Sequence, residues 1–113
     1  MIVLDAPTKK IEILLGGAIT TNQLPFTADY VDVRQSDLKV MSVATVDGQT
    51  NSATAVVLVP APTSGNSRQI KFISVHQADT VNTTVTIRLN DDGATRILWK
   101  SVSPASDTIY YGS

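Results

Sequence analysis

The chain has 113 residues, with 9 Lys and Arg against 10 Asp and Glu, one His and no Cys. That length fits one compact domain, read here as a single unit over 1–113, which buries roughly two-thirds of the surface its unfolded form exposes. Without Cys there is no disulfide scaffold, thiolate nucleophile, thiolate zinc site or iron–sulfur cluster, and His76 alone cannot build a multi-histidine metal site. A pI of about 5.6 argues against nucleic-acid binding driven by phosphate neutralisation.

Nine of the ten acidic residues are Asp, and only Glu12 is Glu. Asp competes for backbone hydrogen bonds in turns and caps, whereas Glu favours helices. Thr, Val and Ile make up about a third of the chain, and β-branched side chains fit a pleated surface. The class is therefore all-β. Met1-Ile2-Val3-Leu4 meets Asp5 at once, with no basic n-region and no long apolar run. The chain is expected to be synthesised in the cytoplasm and to make no membrane contact.

In chain order, an N-terminal arm or short strand over 1–8 ends at Ala6-Pro7-Thr8. Lys10 to Leu15 reads as a strand broken by Gly16-Gly17, Asn22 and Pro25. Phe26 to Arg34 alternates cleanly, but Asp32 falls in phase with Phe26, Ala28 and Tyr30 and leaves the inward side ambiguous. Leu38 to Val46 is the next strand, Asp47-Gly48 a turn, and Ser52 to Val59 a small-residue strand. The turn-rich stretch Pro60 to Ser67 is read as a loop crossing between sheets. Strands follow over Gln69–His76, Thr83–Asn90, Thr95–Val102 and Thr108–Tyr111, giving eight or nine in a sandwich or barrel.

One hairpin is derivable in detail. Val85, Ile87 and Leu89 alternate with Thr84, Thr86 and Arg88, and Ile97 and Trp99 are the natural inward partners across the turn. Facing residues in an antiparallel pair keep a constant index sum, so joining odd to odd positions needs an odd-length loop. A three-residue loop, Asp91-Asp92-Gly93, pairs Ile87 with Ile97 and Val85 with Trp99, and places Gly93 at the left-handed position. A two-residue turn would set Leu89 opposite Arg96.

Groups for catalysis are few. His76 sits at a predicted strand end near Asp79, but no nucleophile-elbow pattern accompanies it, so it reads as a surface or interface histidine. Asp91-Asp92 lacks the spaced ligands and closing Glu of a calcium loop and reads as hairpin chemistry. No catalytic residue, cofactor or metal is expected. Arg68, Lys71, Arg88, Arg96 and Lys100 fall in adjoining predicted strands, which suggests a modestly basic sheet face suited to an acidic protein partner. Met1, Ile2, Val3 and Leu4, together with Tyr110 and Tyr111, are candidate contact segments; the other reading is that they complete the core.

Pro60-Ala-Pro-Thr-Ser-Gly-Asn-Ser-Arg-Gln-Ile-Lys-Phe-Ile-Ser-Val-His76 resembles a module of tailed-bacteriophage structural proteins, in which a small-residue loop leads into an Arg-Gln-Ile/Leu-Lys strand. The resemblance runs on through Asn82-Thr-Thr-Val-Thr-Ile-Arg-Leu-Asn-Asp-Asp-Gly-Ala-Thr-Arg-Ile-Leu-Trp-Lys100 and Asp107-Thr-Ile-Tyr-Tyr111, about the C-terminal half. The chain's size makes it similar to the small capsid decoration, or cement, proteins. That resemblance implies a jelly-roll-like antiparallel β-sandwich and a place on the outer capsid surface of the virion. It also implies the major capsid protein as partner, and a homo-oligomer, dimer or trimer, as the binding unit. The same module implies a tail, baseplate or head-fibre protein as the alternative, and a small enzyme or carbohydrate-binding module is the third reading.

Overall fold

Alternating β-branched and polar residues resolve into nine strands in the computed structural model, which describes residues 1–104 and 107–112. They are β1 (Ile2–Leu4), β2 (Lys9–Leu15), β3 (Pro25–Arg34), β4 (Val40–Gln49), β5 (Val56–Val59), β6 (Asn66–His76), β7 (Thr83–Asp91), β8 (Ala94–Ser103) and β9 (Thr108–Gly112). There is no helix among the described residues. The first sheet runs β1-β6-β3-β4, and the second runs β5-β2-β7-β8, all antiparallel. β9 also pairs with β6, over Phe72 to His76, while β1 pairs over Arg68 to Ile70. These two strands therefore lie end to end along one edge of β6. The expected N-terminal arm is, over Ile2–Leu4, an integral strand.

The fold is an all-β sandwich, as the composition requires. The central pairs are β3:β6 in one sheet and β2:β7 in the other, each joining strands distant in sequence, while β4 and β8 at the outer edges pair with their sequence neighbours β3 and β7. The turn-rich 60–67 stretch crosses between sheets, from β5 to β6, as expected. The space between the sheets is filled by Phe26, Ala28, Tyr30, Ile70, Ile73 and Val75 from the first and by Ile11, Ile13, Leu15, Val85 and Ile87 from the second. Each large apolar side chain removed from water there contributes about 1.5–3 kcal/mol.

Asp32 lies on the inward side of β3 because Arg68 neutralises it there. The guanidinium donates from Nε to Asp32 Oδ1 at 2.8 Å and from one terminal nitrogen to Oδ2 at 2.9 Å. Its other terminal nitrogen donates to the Pro60 carbonyl at 2.7 Å, and its centre lies 3.9 Å from the Tyr30 ring centroid. Both charged residues are 7% exposed. The Arg68 hydrogen bonds hold the Asp32 carboxyl below the usual carboxylate range, against the opposing effect of burial.

Bulges let the sequence change phase within a strand. Lys71 is the extra residue opposite Asp29 and Tyr30, so Ile70 and Ile73 both point inward despite their odd spacing. Leu58 plays the same part against Ile11 and Glu12, which buries Leu58 and Val59 together.

The 83–103 hairpin corrects the three-residue loop. Asp91 pairs with Ala94 across a two-residue turn, with positive φ at Asp92 (52°) and Gly93 (95°). That geometry matches the twist of the flanking strands, and Asp and Gly are the residues that tolerate it. Leu89 accordingly faces Arg96, and Arg88 faces Ile97, which is 62% exposed. A bulge at Leu98 then restores the inward phase, setting Trp99 opposite Ile87 and Ser101 opposite Val85. Phase is corrected within the strand, whereas the parity argument placed the correction in the loop.

Asp47-Gly48 is likewise not a turn: it lies inside β4, opposite Thr27 and Phe26. A Cβ at Gly48 would stand 2.9 Å from Phe26 Cζ, so the glycine is there to let the ring lie against the backbone. The expected Ser52–Val59 strand shortens to Val56–Val59, because residues 51–54 form a turn with Ser52 at φ 51° and Thr54 N–H donating to Asn51 O. Gly48→Ala is expected to cost about 1–3 kcal/mol through overpacking. Gly17→Ala, where no atom lies within 4 Å, should stay within about 0.5 kcal/mol in the same urea titration. Equal effects at the two sites would contradict the role given to Gly48.

Candidate interaction surface

Strand alternation turns half of the first sheet's side chains away from the core, and many of these are apolar. The registers line up Val3, Gln69, Val31 and Val43 in one row, Gly112, Phe72, Asp29 and Thr45 in the next, and Tyr110, Ser74, Thr27 and Asp47 in a third. Val43 is 73% exposed, Tyr110 71%, Val3 46% and Phe72 36%. Val31 lies half-buried between them. Polar side chains flank this strip and pair with one another, Thr45 donating to Asp29 at 2.8 Å. Apolar surface left on a rigid sheet and rimmed by polar groups is the usual form of a protein-binding face.

The candidate contact residues separate along this division. Met1, Val3 and Tyr110 are exposed, with Met1 next to the position where Ile2 pairs with Ile70. Ile2, Leu4 and Tyr111 pack inward, and Tyr111 stacks on Trp99 with ring centroids 6.3 Å apart and planes at 27°. The terminal segments thus complete the core with one face and leave the other exposed. Trp99, Ile109, Tyr110 and Tyr111 line a shallow groove of about 260 Å³ where β8 and β9 face each other across the sandwich.

The basic residues do not form one face. Arg68 is inside, bound to Asp32, and is not available to a partner. Lys71 is the half-buried bulge residue of β6. Arg88, Arg96 and Lys100 belong to the second sheet, where Arg88 donates to Glu12 at 2.9 Å while Arg96 and Lys100 are exposed on β8. Adjacency of strands in sequence misled here, because the chain crosses between sheets in the loop after His76.

His76 is exposed, with Nδ1 3.1 Å from Thr108 Oγ1. The nearby Asp79 carboxylate does not orient it; it binds backbone instead. Asp79 accepts from the N–H groups of Thr20 (2.8 Å), Thr21 (2.6 Å), Thr80 (2.9 Å) and Asn22 (3.3 Å). Buried Gln77 accepts from Asp79 N–H and donates to the Val81 and Ser103 carbonyls. Together they fasten the 20–22 loop to the end of the sandwich. The signal for this was a Gln-x-Asp just past a strand end, where Asx side chains capture backbone donors.

The Thr20 hydrogen bond first, then those of Thr21, Thr80 and Asn22, hold the Asp79 carboxyl at about 2, below its ordinary 3.8, against the effect of burial. A depressed carboxyl pKa stabilises the fold fully above the unfolded value and loses that contribution as pH falls through the folded value. The Thr20 and Thr21 amide resonances are therefore expected to titrate with a midpoint near pH 2, and Asp79→Asn should remove the transition. A midpoint near 3.8 in the native protein would contradict the anchoring role. Compared with known proteins, the chain matches no family model, no curated protein and no solved structure.

Proposed function

We propose that the protein is a bacteriophage capsid decoration protein that binds the outer surface of the assembled shell and bridges major capsid subunits. The observation that carries this reading is the exposed apolar strip on the first sheet, from Tyr110 and Phe72 across to Val43. It supplies a stiff contact surface, held in place by a packed sandwich behind it. The resemblance of the C-terminal half to phage structural modules supplies the class of partner. The basic patch plays no part in the reading, since its members are divided between the sheets.

A ligand that binds the assembled lattice better than free subunits stabilises the lattice by mass action. Apolar anchors at the centre of such a contact carry most of the binding energy, typically more than 1 kcal/mol each. Tyr110, with a large ring and a polar tip at the surface, is the best-suited anchor, and Phe72 lies one strand and one row away.

Phage shells loaded with the protein are expected to disrupt at a higher temperature than bare shells. Tyr110→Ala should weaken shell binding about tenfold, which corresponds to the loss of one 1.4 kcal/mol contact. Arg96→Ala, on the other sheet, should leave binding within about twofold. Unchanged disruption temperature on saturation with the protein would overturn the reading. Attachment at tails or vertices in place of the shell lattice would favour a tail or head-fibre component.

A further inference from the structure

A sheet edge presents a row of free N–H and C=O groups, and folded chains protect such rows by shortness, proline, bulges or charge. Most edges here carry that protection. β1 has three residues, β9, which shares that edge of the sheet, has five and starts directly after Asp107, and β5 has four and ends against Pro60. β8 is ten residues long but carries Arg96 and Lys100 on either side of its Leu98 bulge. β4 is the exception. It is also ten residues long, and the seven from Val40 to Val46, Val-Met-Ser-Val-Ala-Thr-Val, hold no charge and no proline. Its one irregularity is the bulge at Met41. Val40 is 57% exposed, Met41 47% and Val43 73%, and β4 pairs with β3 alone. An uncharged run of high β-propensity on an open edge is a template for another strand.

We infer that β4 pairs antiparallel with β4 of a second copy, on a two-fold axis through Val43, so that the two first sheets form one continuous sheet. The charges at the ends of β4 set the register. In an antiparallel self-pair facing residues keep a constant index sum, and a sum of 86 places Val43 on itself. The same register brings Lys39 of each copy within about one residue of Asp47 of the other, allowing for the Met41 bulge. Opposite charges thus come close at both ends of an uncharged centre. Slipping the register by two residues separates these charges.

The pairing closes, because each copy offers one such edge and a two-fold axis uses both. The five-stranded first sheet becomes ten-stranded. Since the axis is perpendicular to the sheet, the apolar strips of both copies face the same way. The inference stands independently of the capsid reading: it concerns the free protein and uses no other partner.

The absence of Cys makes the test clean. Sedimentation of the whole chain is expected to show a species of twice 12.1 kDa that dissociates on dilution. A Val43→Cys variant treated with a short bis-maleimide should link nearly all of its dimer. Thr45→Cys, placed opposite Met41 and about four residues along the strand from its own copy, should link at least tenfold less. Val43 is mostly exposed, so Val43→Lys should leave the fold intact, by circular dichroism, and yield monomer. Lys39→Glu or Asp47→Lys alone should weaken association about fivefold, and the double reversal should restore it. A monomer at all concentrations would overturn the inference. So would a dimer that survives Val43→Lys, or one that links as well through Thr45→Cys as through Val43→Cys.

Discussion

Asp32 and Arg68 put a pair of opposite charges on the inward face of the first sheet. Asp32 is in phase with Phe26, Ala28 and Tyr30, so turning that side inward means burying a carboxylate. Desolvating an unpaired carboxylate would cost several kcal/mol, enough to oppose much of the gain from the apolar residues beside it. Arg68 removes the conflict by meeting both carboxylate oxygens, and Ser42 adds a third contact to Asp32 at 3.3 Å. Its remaining donors reach the Pro60 and Ala61 carbonyls, at the point where the chain leaves the second sheet for the first. One residue therefore neutralises the core end of β3, lies against Tyr30 and ties down the crossing loop.

The exposed surface depends on this arrangement. Once Phe26, Ala28 and Tyr30 face inward, Thr27, Asp29 and Val31 must face out, and β4 and β6 follow through their registers. Val43 and Phe72 reach the solvent side as a consequence. Arg68 also shows why strand position alone is a poor guide to contact residues. On sequence it belongs with Lys71, Arg88, Arg96 and Lys100; in space it is a core residue, and its alkyl stem and guanidinium serve packing as much as charge.

The number of strands, their approximate bounds and the sheet-crossing loop were legible in the sequence, because alternation and turn chemistry are local. The phase of each strand was not. Ile70 and Ile73 point the same way only because Lys71 bulges, and Trp99 reaches the core only because Leu98 does. A bulge answers to the partner strand, which a single segment does not reveal. Gly48 misled for the same kind of reason: Asp-Gly reads as a turn until Phe26, 22 residues earlier, is placed against it. Of the candidate contact residues, the terminal strands were identifiable as segments, but which of their side chains face out depended on β6. The basic residues failed as a group because sequence order does not say which sheet a strand joins.

The Asp32–Arg68 pair decides which face of the first sheet turns inward. The measurement for this is a urea-unfolding double-mutant cycle over Asp32→Ala, Arg68→Ala and the double variant. Each single change leaves a buried charge unpaired and should cost about 3 kcal/mol, while the double variant should lose much less than the sum, with a coupling of about 2 kcal/mol or more. Additive effects, with coupling below about 0.5 kcal/mol, would contradict it.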